Sequence, residues 1–236
     1  MANSKLQGSQ AAQDKKLKLI LSIVTGVVIV GLIGTAAALS INKKNLNKPS
    51  TVTKTSTLPK GAFEASSKYA YGIPYGTNPK APVMELWEDF QCPACKAFED
   101  ASGAKLDELV KAGKVRLEYR PTLFLDANLA DKNTAAGNPE SSLHATMAFG
   151  CAVDQGLAME YHKAIFAAQP EEEGQGFSNA DLTEIAQNAG FSAQQVTDFM
   201  ECLTNQVYKD WANNSYDAFS KAGVTSTPTG FLNGTE

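Results

Sequence analysis

Two cysteines separated by Pro-Ala stand where an apolar run gives way to a helical one, in Trp87-Glu88-Asp89-Phe90-Gln91-Cys92-Pro93-Ala94-Cys95-Lys96. No other stretch limits the fold as much. The run Pro82-Val83-Met84-Glu85-Leu86-Trp87 reads as a strand, and Ala94, Ala97, Phe98, Ala101 and Ala104 then recur at helical spacing. Pro93 suits the first helical position, because its fixed φ is helical and its missing N–H would have had no partner there. Cys92 therefore falls at a helix N-terminus, where unpaired N–H groups and the helix dipole stabilise a thiolate. The thiolate is the reactive form, so Cys92 is the expected nucleophile. Cys95 lies one turn later on the same side. It is placed to attack a mixed disulfide formed at Cys92, which is the resolving role. Glu88 and Asp89, just before the pair, are candidate acceptors for the Cys95 proton, or else ordinary charge at a strand end. Zinc sites share the Cys-x-x-Cys spacing, but zinc needs two further ligands, usually as a second close pair. Cys151, Cys202, His144 and His162 form no such pair. Redox chemistry without metal or cofactor is the expectation.

The chain of 236 residues divides by charge. Residues 1–48 carry seven lysines and one aspartate, and the remainder carries 14 basic against 24 acidic residues. So acidic a domain gains nothing from releasing phosphate counterions, which argues against nucleic acid as a partner. Residues 19–42 hold no charged side chain and show no polar face. The stretch is long enough to cross a bilayer as a helix. Lysines flank it on both sides, so charge alone leaves its orientation open. Stable disulfides belong outside the cytoplasm. The expected arrangement is a cytoplasmic segment at 1–18, an anchor at 19–42, a polar linker at 43–60 and an extracytoplasmic domain at 61–236. The competing expectation is secretion after cleavage near Ala36-Ala37-Ala38.

Within the domain, Tyr69 to Ile73 reads as a short strand. Val115 to Tyr119 reads as a second central strand, which makes a right-handed βαβ unit with the first cysteine pair at its turn. Residues 126–223 are helical in pattern. Asn138-Pro139-Glu140 starts one helix, Ser178 precedes another at Asp181 to Ala189, Ser192 and Gln195 form a capping box, and Asn205 to Ala222 makes the last long helix. Cys151 and Cys202 both fall on apolar helix faces. They are either two small buried residues or a disulfide tying two helices. His144 and His162 read as surface or core-edge histidines. Thr227-Pro228 before an apolar strand suggests a cis-proline loop, and Asn233-Gly234 is a hairpin signal.

Taken together, Asp89-Phe90-Gln91-Cys92-Pro93-Ala94-Cys95, a long helical insert, and Gly223-Val224 through Thr227-Pro228-Thr229 resemble the DsbA-like branch of the thioredoxin superfamily, in its membrane-tethered Gram-positive and actinobacterial form. The resemblance covers about residues 62–234. It implies an α/β thioredoxin fold with a helical domain inserted at about 126–223, attack by Cys92, resolution by Cys95, and a substrate backbone docked on Thr227 and Pro228. It also implies a second cysteine pair in the insert, which suits Cys151 and Cys202. Relatives continue past the Asn-Gly turn with a further strand and helix, so the chain is expected to lack them. Ala94 stands where the enteric prototype has histidine, which implies a less strongly oxidising pair.

The resemblance implies an envelope thiol-disulfide oxidoreductase that introduces disulfides into unfolded or reduced secreted proteins and is reoxidised by a quinone-linked membrane partner. Two other expectations compete. One is a reductase or isomerase, for example for apocytochrome thiols. The other is a non-catalytic binding module with structural disulfides.

Overall fold

The structure is a computed structural model, and it describes residues 57–235. The expected segment 1–18, the anchor 19–42 and most of the linker 43–60 lie outside those residues. No helix among the described residues is long and apolar enough to cross a membrane.

Among the described residues four strands form one sheet, β1 (Ile73–Tyr75), β2 (Val83–Glu88), β3 (Arg116–Pro121) and β4 (Thr229–Leu232). Their order is β1-β3-β2-β4. β2 and β3 run parallel, with Leu86 beside Tyr119, while β1 on β3 and β4 on β2 run antiparallel. The parallel pair demands a crossover. It is made by α1 (Pro93–Phe98), a π-helical segment (Glu99–Gly103) and α2 (Ala104–Lys111). Between β3 and β4 come α3 (Asp126–Ala135), α4 (Ser141–Asp154), α5 (Ala158–Ala167), α6 (Asn179–Asn188), α7 (Ala193–Thr204) and α8 (Lys209–Lys221). The result is a mixed α/β, thioredoxin-like fold.

Side chains alternate across the central strands. Met84, Leu86, Leu117 and Tyr119 enter the main core, which also takes Phe149, Phe166 and Ile165 from α4 and α5. Trp87 faces the other side and meets Phe219 of α8 edge-on, with ring centroids 5.6 Å apart. Arg120 lies over the Trp87 ring at 4.1 Å and donates to Glu85 at 2.8 Å. A buried guanidinium costs several kcal/mol unless it is paired, and here carboxylate and aromatic face together supply the partners. α4 is buried along nearly its whole length, so it serves as the centre of the helical layer. Gly150 makes this possible, because a Cβ there would press on the rings of Tyr208 and Trp211.

Several local expectations are corrected. The first strand is Ile73–Tyr75 rather than Tyr69 to Ile73, because Tyr71 takes a left-handed φ of 66°. The chain there folds back, with Phe63 and Gly72 hydrogen-bonded at 3.0 Å. The helix after Cys92 is interrupted by its π segment. The last helix begins at Lys209 rather than Asn205, because Gln206 at φ 52° separates it from α7. The helix after Ser178 begins at Asn179 and ends at Asn188, and Ser178 caps it reciprocally with Asp181. Ser192 and Gln195 form the same kind of box on α7. Asn233 and Gly234 both take positive φ, and Leu232 bridges back to Thr235, as a type I′ turn requires.

Candidate active site

β2 ends at Glu88, the chain turns through Asp89-Phe90-Gln91, and α1 begins at Pro93. Cys92 is therefore the N-cap of α1, in extended conformation and with no side-chain cap of its own. The backbone N–H groups that a Ser or Asp would occupy stay available to its sulfur. Both cysteines are free thiols. Cys92 is 7% exposed and Cys95 fully buried, so attack from outside can reach only the first. Hydrogen bonding from Cys95 lowers the Cys92 thiol to about 6 against the pull of burial, helped by Thr227 and by the N–H groups of Cys95 and Ala94. Burial above all, then the neighbouring Cys92 and Glu88, raise Cys95 well above the ordinary thiol range. At neutral pH the pair thus holds an exposed-side thiolate and a buried thiol.

The Thr227–Pro228 peptide bond is cis, and the Thr227 carbonyl oxygen lies 3.5 Å from Cys92 Sγ. β4 brings that loop to the pair by hydrogen bonding along β2, with Thr229 beside Trp87. Cys151 of α4 and Cys202 of α7 are joined, 51 residues apart in sequence.

The two acidic candidates have different surroundings. Asp89 Oδ1 accepts from the Gln91 N–H at 2.9 Å and the Ser142 hydroxyl at 2.7 Å, and Oδ2 accepts from the Leu125 N–H at 2.9 Å. Burial pushes it up to about 7 against those donors. Its oxygens are committed to fastening the turn to the insert. Gln91 continues the fastening, donating to Ser142 at 2.8 Å and accepting from Asn133 at 2.7 Å. Asp126 accepts from the N–H groups of Ser142 and Leu143, which start α4. Glu88 has no such set. Burial first, and then the Cys92 charge, raise it well above the carboxylate range. Its Oε2 lies 3.0 Å from His162 Nε2, and its Oε1 is buried with no partner.

His162 corrects the expectation of a surface or core-edge residue. It is 1% exposed, held on α5 among Phe90, Phe149, Phe166 and Tyr119. Burial pushes its imidazole down to about 4, so it is neutral at physiological pH. His144 is half-buried on α4. Glu88, Glu99 and His162 place one donor atom each within 4.8 Å of one another, a spacing that could hold an ion. The sequence reading also passed over Gln169, whose amide donates to the Phe90 carbonyl at 2.8 Å and the Cys92 carbonyl at 3.2 Å. A lone glutamine after a helix carries no sequence signal for that role.

The family model described as Thioredoxin matches residues 70–236. Among solved structures, the chain is similar to the reduced form of the disulfide bond oxidoreductase DsbG from Mycobacterium tuberculosis, at 27% identity and TM-score 0.57, over 70% of this chain and 79% of that one. It is similar to reduced DsbA from the same organism at 27% identity and TM-score 0.57, over 71% and 84%. It shares its fold with MdbA, a thiol-disulfide oxidoreductase from Actinomyces oris, at 20% identity and TM-score 0.59, over 70% and 76%. No curated protein sequence matches.

Proposed function

This chain belongs to the thioredoxin family as a DsbA-like protein disulfide oxidoreductase, and from that premise we propose that it introduces disulfides into reduced secreted or envelope proteins through Cys92 and Cys95. The observation that carries this reading is the split between the two thiols, one ionised at neutral pH and reachable, the other protonated and enclosed. A stabilised Cys92 thiolate is a good leaving group, which favours passing a disulfide on to a substrate.

In the oxidised enzyme a substrate thiolate attacks Cys92 Sγ. The Cys92–Cys95 bond breaks, its electron pair leaves on Cys95, and Cys95 takes up a proton. A second substrate thiolate then attacks the substrate sulfur of the mixed disulfide and releases Cys92 as thiolate. The substrate is oxidised by two electrons and the enzyme reduced by two. Thr227 and Pro228 hold the substrate backbone beside Cys92, a role supported by the 3.5 Å approach of the Thr227 carbonyl. Glu88 serves as proton partner of Cys95. Asp89 holds the turn, since three donors already occupy its carboxylate.

We place the catalytic domain outside the cytoplasm on the same chemistry. The Cys151–Cys202 link favours an oxidising environment, and the uncharged stretch 19–42 supplies an anchor with the N-terminus inside. A quinone-linked membrane enzyme would reoxidise the pair, on the family resemblance. The test is oxidation of a reduced, unfolded protein by one equivalent of the oxidised full chain. Rapid appearance of substrate disulfides is expected, and loss of disulfides already present in the substrate would point to reduction instead.

A further inference from the structure

Glu88 is buried close enough to Cys92 to feel its charge, and burial favours its protonated form. A carboxyl that holds a proton must pass it on before it can take one from Cys95. Two neighbours lie within reach: the Glu99 carboxyl, which shares a hydrogen bond with Glu88, and the one neutral base of the cluster, His162, with Nε2 at 3.0 Å from Glu88 Oε2. The other ring nitrogen, Nδ1, faces a second carboxyl, Glu99 Oε2, at 4.0 Å. Nδ1 is buried without a hydrogen-bond partner, as are Glu88 Oε1 and Glu99 Oε1. Unpartnered buried polar atoms cost about 1–3 kcal/mol each, so three in one cluster call for a reason beyond packing.

The backbone places Glu99 for this contact. The π segment Glu99–Gly103 widens the helix that leaves Cys95. Gly103 leaves room for the Glu99 carboxyl, since a Cβ there would overlap it. π-Helical turns are found disproportionately at functional positions. The Glu99 side chain is 8% exposed against 3% for Glu88, so Glu99 is the outer end of the row.

We propose that the His162 imidazole passes the Cys95 proton between the buried Glu88 carboxyl and the Glu99 carboxyl, so that His162 and Glu99 are positioning residues for the resolving step. This rests on the oxidoreductase reading above. When Cys95 is to attack, Glu88 gives its proton to Nε2, Nδ1 gives one to the Glu99 carboxylate, and the freed Glu88 carboxylate accepts the Cys95 proton. The Cys95 thiolate then forms its bond to Cys92 Sγ, and the departing sulfur takes the electron pair. When the enzyme is reduced by substrate, the proton runs inward by the same atoms. The two directions alternate in each catalytic cycle, so each restores the ring tautomer that the other requires. A single ion in place of the relay fits less well, because the two ring nitrogens address different carboxyls.

The other charged and titratable groups around the row do not replace it. Tyr119 of β3 packs against His162 with tilted rings 4.3 Å apart, its phenol held neutral by burial. Asp107 of α2 is paired with Lys163 at 2.7 Å and Lys111 at 2.9 Å and accepts from Tyr75 at 3.4 Å. Lys163 of α5 lowers both Glu99 and His162. Cys92 acts on Glu88 through its charge.

The test uses the reduced full chain and 5,5′-dithiobis(2-nitrobenzoate) in stopped flow. Cys92 attacks the reagent and releases the first thionitrobenzoate, and Cys95 then resolves the mixed disulfide and releases the second. His162→Gln should slow the second phase tenfold or more and leave the first within about twofold, since positioned proton transfer contributes 10²–10⁴-fold. In the native chain the second phase should speed up as pH rises through about 7, where Glu99 becomes able to accept. Cys92 is bonded in that intermediate, so its own ionisation does not enter. Glu99→Gln, at the outer end, should abolish that pH step, and it decides the matter if His162→Gln does not fold. Second phases within twofold of native in the variants, or both phases falling together, overturn the relay alone. A native chain that shows no second phase overturns the oxidoreductase reading and the relay with it.

Discussion

Cys95→Ser turns the chain into a trap that accumulates disulfide-linked substrate at Cys92, while Cys92→Ser traps nothing and loses roughly a thousandfold or more of exchange activity. The asymmetry follows from the helix start. Cys92 keeps its thiolate near pH 6 partly through backbone N–H groups that Cys95→Ser leaves in place. The serine hydroxyl can still donate to it, so Cys92 still attacks a substrate disulfide, and the mixed disulfide accumulates because no thiol at position 95 attacks back on Cys92 Sγ. In Cys92→Ser the remaining sulfur is fully enclosed and its thiol raised well above the ordinary range. Little of it is ionised at neutral pH, and a substrate disulfide cannot reach it. Non-reducing electrophoresis of cell extracts carrying each variant, followed by identification of the bands, reads the difference directly. Equal trapping by both variants would reverse or remove the assignment of nucleophile and resolving thiol.

Replacing Cys151 and Cys202 together by alanine should lower stability by about 4 kcal/mol in the chain-entropy model and the melting temperature by roughly 10 °C. The link closes a loop of 51 residues between α4 and α7, which are otherwise held by their apolar faces. Alanine avoids leaving a buried hydroxyl at position 151, which is 1% exposed. The turn around Cys92 is fastened through Asp89, Gln91 and Ser142 rather than through this link, so exchange at Cys92 below the melting transition should stay within about twofold. Calorimetry with a parallel exchange assay separates the two effects. An unchanged melting temperature would mean that the helical layer is held by packing alone.

Much of this was legible in local pattern. Pro93 after Cys92 marked the helix start, the apolar alternation marked β2, the Ser192 and Gln195 spacing marked a cap, and Asn233-Gly234 marked the turn, because each depends on residues within one or two turns of chain. What escaped was set by contacts distant in sequence. His162 lies 74 residues from Glu88, and nothing in the pattern of α5 separates a histidine that faces a carboxyl from one that faces water. Glu88 and Asp89 are adjacent and chemically alike, and they part only because β2 turns one toward α5 and the other toward Ser142 on α4. The π segment is invisible to periodicity, since one extra residue in a turn changes no residue type. The short β1 was displaced by the left-handed Tyr71, a conformation uncommon for a tyrosine.

The equilibrium reduction potential of the Cys92–Cys95 pair tests the central claim most directly, measured on the full chain against a glutathione buffer with the Cys151–Cys202 link monitored separately. A disulfide-introducing enzyme with a stabilised Cys92 thiolate should lie at about −120 to −180 mV. A value near −270 mV, where thioredoxin-type reductants lie, would contradict it.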